Sequence, residues 1–202
     1  KSISTNTFKY TKRAYIINGV ESRNDHVQNY YKQMGVYDYF GPVEFVNTYK
    51  PDDLMVHWIH EVFAPYCSYN TLTGLLNFIT CMEKGLASGD DHFTIIQDDV
   101  VFPSNWQGLF DQIKPGFFEC PCIGVNYHIS PNLNGIKRVD TGNIGGCECI
   151  IVSKEFAKFF LANIDFRQGT DIVMSGILKH HKKPLEIIPI CQQTSVLNTR
   201  IS

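Results

Sequence analysis

The sequence predicts an α/β fold with a mostly parallel central sheet flanked by helices, and three observations carry that reading. Short β-rich runs alternate with helical patterns from the first residues onward, the order that builds parallel sheets rather than hairpins. Phe93-Thr94-Ile95-Ile96 is apolar on both faces, as a central strand covered on both sides must be. The chain has 202 residues, 44% of them hydrophobic, and no linker-like break. Residues 1–202 are therefore expected to form one domain around its own core.

Arg13 to Ile17 reads as the first strand, stopped by Asn18-Gly19. A helical pattern follows from about Asp25 to Met34, with Val27, Tyr30, Tyr31 and Met34 at helical spacing and Gly35 as its end. Pro42 to Val46 is the second strand, and Asn47 opens a loop through Pro51-Asp52-Asp53. Met55 to Phe63 is helical, broken by Pro65. Thr71 to Lys84 carries Leu72, Leu75, Leu76, Ile79 and Met82 on one face, with Asn70 as expected N-cap and Gly85 as expected stop. After the turn Gly89-Asp90-Asp91 come the strand 93–96, the segment Gln97-Asp98-Asp99, and Val100-Val101-Phe102. An amphipathic stretch covers Trp106 to Ile113, and Cys122 to Tyr127 reads as a strand. A Gly- and Asn-rich loop spans Ser130 to Asn143. Cys147 to Val152 is a strand, Lys154 to Leu161 a helix capped by Ser153, Asp171 to Lys179 a helix, and Leu185 to Ile190 the last strand.

Composition removes several functions. A net charge of −2 gives no broad positive field, so nucleic acid and anionic membranes are not expected partners. No run of about 18 apolar residues occurs, so no membrane-spanning helix is expected. The seven cysteines do not cluster as a disulfide scaffold would. Cys120-Pro-Cys122 and Cys147-Glu-Cys149 lack the usual spacing of structural zinc sites. In a strand, Cys147 and Cys149 would share a face and both enter the core. Buried free thiols and a reducing, cytoplasmic setting are the expectation.

The feature that points to chemistry is Asp98-Asp99, placed directly after the most buried strand. In open α/β sheets ligands sit beyond the carboxyl ends of the strands. Two adjacent carboxylates there repel one another unless a cation intervenes. Hard oxygen donors suit Mg²⁺ or Mn²⁺, whose shells are completed by substrate phosphates. The competing reading is an acidic turn that caps the next helix, which has no need to follow a buried strand directly.

The run from Phe93 to Phe102, with Gln97-Asp98-Asp99-Val100 at its centre, resembles the strand-plus-acid motif of GT-A-fold glycosyltransferases. It is most similar to the Glu-Asp-Asp-Val form of the lipooligosaccharide and procollagen galactosyltransferase family. Gln97 replaces the motif's first acid. The resemblance implies a GT-A-type, Rossmann-like sheet, with Asp99 as ligand of a Mn²⁺ or Mg²⁺ cofactor and Asp98 facing the ribose or donor sugar. It implies that Ile17, Asn18 and Arg23, in and after the first strand, line the nucleotide. Asn143-Ile144-Gly145-Gly146 and the strand beyond it resemble the acceptor-side segment. As an arrangement of elements the likeness covers about residues 13–193.

The same resemblance makes Asp171, at the start of a late helix, the base that deprotonates an acceptor hydroxyl with inversion. Its alternative is a plain helix N-cap. Arg23 is read either as a partner of phosphate or base or as a surface residue. Asn18 and Asn47 end neighbouring strands, where base or ribose recognition would fall. His180 and His181 are candidate metal ligands or a basic helix end, and His128, Gln192 and Gln193 are lesser site candidates. His57 and His60 read as structural. Tyr66, Tyr69, Trp106 and Tyr127 read mostly as core or interface, although sugar sites do use aromatic faces.

The expected activity is transfer of a sugar from a nucleotide-sugar donor, UDP-linked, to a hydroxyl of a glycan or glycoprotein acceptor. The loop 130–143 is expected to order over the donor. Two alternatives stand beside it. One is a sugar-phosphate nucleotidyltransferase, disfavoured because no Gly-rich basic loop is present to grip a triphosphate. The other is a non-catalytic glycan-binding module, prompted by Gln97. Phosphate-loop, nucleophile-elbow and zinc-protease motifs are absent from the sequence.

Overall fold

The computed structural model describes residues 12–111, 122–126, 137–139, 147–181 and 185–193. Strand β1 (Ala14–Ile17) is followed by a 3-10 turn (Glu21–Arg23) and a π-helical turn (His26–Tyr30). Short helices α1 (Tyr31–Gln33) and α2 (Val36–Tyr39) lead to β2 (Val43–Val46). Next come α3 (Leu54–Val62), α4 (Tyr69–Ser88), β3 (His92–Gln97), β4 (Val100–Val101) and α5 (Trp106–Asp111). The chain continues through β5 (Cys122–Asn126), β6 (Lys137–Val139), β7 (Cys149–Ser153), α6 (Lys154–Ala162), α7 (Thr170–His181) and β8 (Leu185–Gln193).

The strands form one sheet in the order β2-β1-β3-β7-β5-β8-β4, with β6 also on β8. β1, β2, β3, β5 and β8 run in one direction, and β7, β4 and β6 run against them. The expected mostly parallel sheet is thus present. The strand read at 147–152 is the departure: as β7 it lies antiparallel between β3 and β5. β6 falls inside the stretch read as a loop.

Alternation along the strands sends side chains into two cores. Tyr15, Ile17, Phe93, Ile95, Ile150 and Val152 pack with α3, α4, α6 and α7 on one side. Ala14, Ile16, Ile96, Cys149 and Ile151 meet Tyr31, Val36, Trp106 and Phe110 on the other. Each fully buried aromatic or aliphatic chain contributes roughly 1.5–3 kcal/mol, so the two-sided apolar run at 93–96 locks β3 into the middle of the sheet.

Three local expectations are corrected. Ser68, not Asn70, caps α4, its Oγ accepting from the Thr71 N–H at 3.1 Å. Gly85 does not stop that helix, which runs on to Gly89, a residue with left-handed φ of 79°. Gly85 instead lies against the Phe93 ring, where a Cβ would come within 2.3 Å of ring carbons. Cys147 and Cys149 are both buried but on opposite sides of the sheet, because β7 begins only at Cys149. Ser153 caps α6 as expected, accepting from Phe156 N–H at 3.1 Å. Cys81, Cys147, Cys149 and Cys191 are buried free thiols and Cys67 is partly exposed.

His92, at the start of β3, is buried, and desolvation lowers its imidazole from 6.5 to about 4 against the opposing pull of Asp91. The fold holds it neutral while the unfolded chain protonates. Its contribution is therefore fully present above about pH 6.5 and is lost as pH falls towards 4. His92→Gln should flatten the loss of stability between pH 7 and 4 by roughly 2–3 kcal/mol. Denaturant titrations of both proteins across that range check it, and identical pH slopes would refute it.

Candidate functional site

The sheet order places the site before any side chain is considered. From β1 the chain goes first to β2 on one side and later to β3 on the other. The carboxyl ends of β1 and β3 therefore flank the point where the order reverses, the crevice that α/β proteins use for ligands. The register pairs Ile17 with Gln97, so the segment leaving β1 and the acid pair leaving β3 start from the same edge.

There the acid pair meets the first loop. The backbone N–H groups of Gly19 and Val20 donate to Asp98 Oδ2 at 3.1 and 3.2 Å. Arg23 Nη1 donates to Asp98 Oδ1 at 2.6 Å and lies 3.3 Å from Asp99 Oδ2. One guanidinium thus bridges two carboxylates that are 4% and 1% exposed. Burial pushes the Asp98 carboxyl above its ordinary range and Asp99 adds to this, while Arg23 and the Val20 N–H pull it down. Gln97 donates its side-chain N–H to the Cys147 carbonyl at 3.3 Å. A glutamate there, as in the motif it resembles, has no proton to give.

The acid turn is braced by the π-helical turn and the first residue of α1. Tyr31 OH donates to the Gln97 carbonyl and accepts from Val100 N–H at 3.1 Å. Tyr30 OH accepts from Phe102 N–H at 2.9 Å and donates to its carbonyl at 3.0 Å. His26 Nε2 donates to the Val100 carbonyl at 2.9 Å. Sequence reasoning assigned these tyrosines to a helix face and missed the bracing.

A cleft of about 830 Å³ opens at this edge, within the roughly 300–1,000 Å³ usual for small-molecule sites. Ile17, Gly19, Val20 and Arg23, from β1 and the loop after it, line the cleft together with Gln97 and Asp98. Tyr66, Asn70, Gly74 and Asn77, in α4 and the segment before it, also line the cleft, as do Gln168, Asp171 and Ile172 at the start of α7. Asp171 is exposed and is the second residue of α7. Asn77 is fully buried in mid-α4. Its Oδ1 accepts from Thr48 and Tyr49 N–H, and its Nδ2 donates to the Tyr49 carbonyl, all at 3.0 Å. It thereby fixes the loop that leaves β2.

Of the residues singled out in the sequence, Ile17, Arg23, Gln97, Asp98 and Asp171 come together in the cleft, and Tyr66, read as core or interface, is instead fully exposed there. Asp98 turns both oxygens to the loop at 19–23 rather than to open space. Asp99 lies behind it, outside the lining. Asn18 donates its Nδ2 to Asn24 Oδ1 at 2.9 Å, and Asn47 is exposed. Neither lines the cleft. His57 stacks on Tyr69 and His60 packs tilted against the same ring, with ring centroids 4.4 and 4.5 Å away. His180 lies near the far end of α7, exposed and stacked on Phe159. His128, the loop 130–143 and the segment 143–146 lie outside the described residues or, at β6, are described by backbone alone. The same holds for the side chains of His181, Gln192 and Gln193.

The donor chemistry of Asp98 and Asp99 fits a hard divalent ion. Among the described residues no group of three or more His, Cys, Asp or Glu side chains gathers as a metal site. An ion here would rely on one or two carboxylates and on substrate oxygens, as Mg²⁺ commonly does. Among the described residues no helix is long and apolar enough to cross a membrane.

No family model matches the chain, and no curated protein matches it. Among solved structures it is similar to A197 from STIV, with a TM-score of 0.49 and 12% identity, covering 89% of this chain and 82% of that one. The inositol-1-phosphate CTP transferase from T. maritima gives a TM-score of 0.47 and 10% identity, over 92% of this chain and 90% of that one. An apo UDP-glucose pyrophosphorylase gives 0.39 and 10%, over 90% and 74%. At such identities the likeness concerns architecture and assigns no activity to this chain.

Proposed function

We propose that the chain is a transferase acting on a nucleotide-linked sugar, moving the sugar from a nucleoside diphosphate, UDP in the first instance, to an acceptor hydroxyl on a glycan or glycoprotein. The observation that carries this is that one cleft is lined both by Asp171 and by Asp98, which clamps the loop 19–23. The donor lies along the wall of Ile17, Gly19 and Val20, with Arg23 beside the diphosphate. Asn18 and Asn47, at the neighbouring strand ends, would reach the base or ribose only by turning from their present positions.

In the reaction the acceptor oxygen attacks the anomeric carbon as its proton passes to an Asp171 carboxylate oxygen. The bond from the anomeric carbon to the diphosphate oxygen breaks, and its electron pair leaves with the nucleoside diphosphate. Attack from the face opposite the leaving group inverts the centre. A Mg²⁺ or Mn²⁺ ion would neutralise charge on the leaving group, and Asp99, buried and paired with Arg23, would hold it only by exchanging that pairing for the ion.

Sugar-phosphate nucleotidyl transfer is the second reading. Two of the similar structures are described by that kind of chemistry, and none of the three is described as a glycosyltransferase. Against it stands the sequence of the loop 19–23, which lacks the Gly-rich, basic pattern that grips a triphosphate. Calorimetric binding of UDP, GDP and CMP, with and without Mn²⁺, to wild type and Asp99→Ala tests the nucleotide site. One nucleotide should bind in a metal-dependent way that the variant loses. Metal-independent results for all three would overturn the site as drawn. Release of diphosphate from a nucleoside triphosphate and a sugar phosphate would establish the second reading instead.

A further inference from the structure

The loop after β1 carries a donor set that anions take, and an anion of the chain itself already fills it. Gly19 and Val20 turn their backbone N–H groups to one oxygen of Asp98, at 3.1 and 3.2 Å, and Arg23 Nη1 meets the other at 2.6 Å. Successive backbone N–H groups beside a guanidinium suit a phosphate as well as a carboxylate. Gly19, Val20, Arg23 and Asp98 all line the cleft, so this contact is made at the edge of open space and not within a core.

The same contact holds a cation. Arg23 Nη1 also lies 3.3 Å from Asp99 Oδ2, and the guanidinium spans the two carboxylates whose oxygens suit a hard divalent ion. Asp98 thus stands in for a phosphate, and Arg23 for a metal. A divalent ion arriving alone would cost Arg23 its contacts with both acids. A diphosphate arriving alone would cost Asp98 its donors. When the two arrive together both losses are made good: the carboxylates pass to the metal, while the Gly19 and Val20 N–H groups and Arg23 pass to phosphate oxygens.

We propose that the contact of Asp98 with Gly19, Val20 and Arg23 is an autoinhibitory pairing that fills the ligand seat, displaced by a divalent metal and a diphosphate together and by neither alone. This rests on the transferase reading above and assigns the coupling between metal and donor to Asp98 and Arg23.

The test uses the full chain and calorimetry, with inorganic pyrophosphate and UDP as probes, each with and without Mg²⁺. Wild type should bind pyrophosphate at least about fivefold more tightly with saturating Mg²⁺ than without, the low end of the usual range for coupled ligands. Asp98→Ala, which vacates the anion side, should raise metal-free pyrophosphate affinity by about 5–150-fold and reduce the gain from Mg²⁺. Asp98→Asn keeps the size of the side chain without its charge, guards against a variant that fails to fold, and should show part of that rise. Asp99→Ala removes the same charge without vacating the Gly19 and Val20 N–H groups, and should show much less of it. The proposal falls if neither Asp98 variant binds metal-free pyrophosphate better than wild type, or if Asp99→Ala gains as much, which would be a general effect of charge. It falls equally if no form of the chain binds pyrophosphate. A gain in Asp98→Ala with UDP no better than pyrophosphate would keep the exchange and remove the nucleotide reading. Metal-dependent UDP binding without that gain would keep the nucleotide reading and overturn the exchange.

Discussion

Replacing Arg23 with alanine should lower stability by about 3–5 kcal/mol at neutral pH, the cost of stranding buried charge. The Arg23 side chain is 15% exposed, and those of Asp98 and Asp99 are 6% and 2% exposed. Without the guanidinium, two adjacent carboxylates share a desolvated turn, with Asp98 keeping the amides of Gly19 and Val20. The direction with pH follows from Asp98, whose carboxyl already sits above its ordinary range through burial. A raised carboxyl contributes most when protonated, below the unfolded-state value, and that contribution is lost as pH rises through the folded value. The variant should therefore recover stability on acidification more than wild type does. If the pair also suits a hard cation, Mn²⁺ should raise the urea midpoint of Arg23→Ala more than that of wild type. Urea titrations at about pH 4 and pH 7, with and without Mn²⁺, measure all three effects. A variant as stable as wild type at neutral pH would show that Arg23 does not hold the pair.

Asp171→Asn should reduce sugar-transfer turnover by about 10²–10⁴, the usual worth of a positioned general base. Asparagine keeps the size and the helix-start preference of aspartate but accepts no proton. Nucleotide affinity, assigned above to Ile17, Gly19, Val20 and Arg23, should not change, and the melting temperature should move little because Asp171 is exposed. The separation of turnover from binding distinguishes a base from a helix-start residue. Intact turnover in the variant would remove Asp171 from the chemistry and the argument for inversion with it.

Much of the architecture was legible because local pattern and tertiary role coincided. The two-sided apolar run at 93–96 could be satisfied only between two layers, and it lies between them. Ser153 followed by an amphipathic stretch could start a helix, and does. Where two residues could play the same part, sequence picked the wrong one. Asn70 and Ser68 are both good caps, and the choice turns on which has extended backbone, as Ser68 does with ψ of 153°. Gly85 and Gly89 could both end α4. The contact with Phe93, a residue eight positions on and in another element, decides that Gly85 is a packing residue. Cys147 and Cys149 share a face only if the strand spans both, and strand bounds depend on partners that the local sequence does not contain.

The candidate site divides along the same line. Sequence alone determined that an acid pair leaves the most buried strand, that an arginine follows the first strand, and that an aspartate opens a late helix, since each is a matter of residue type beside a local pattern. Only the tertiary structure decided that Arg23 joins Asp98 and Asp99 across more than seventy residues, that Asn77 reaches from mid-helix to hold the loop after β2, and that Tyr66 stands bare in the cleft. It also left Asn18 and Asn47 outside that lining. Those outcomes depend on strand order and register, which bring distant segments to one edge. That order follows from how two apolar layers close over the sheet, an energy summed over the whole chain rather than carried by any local run.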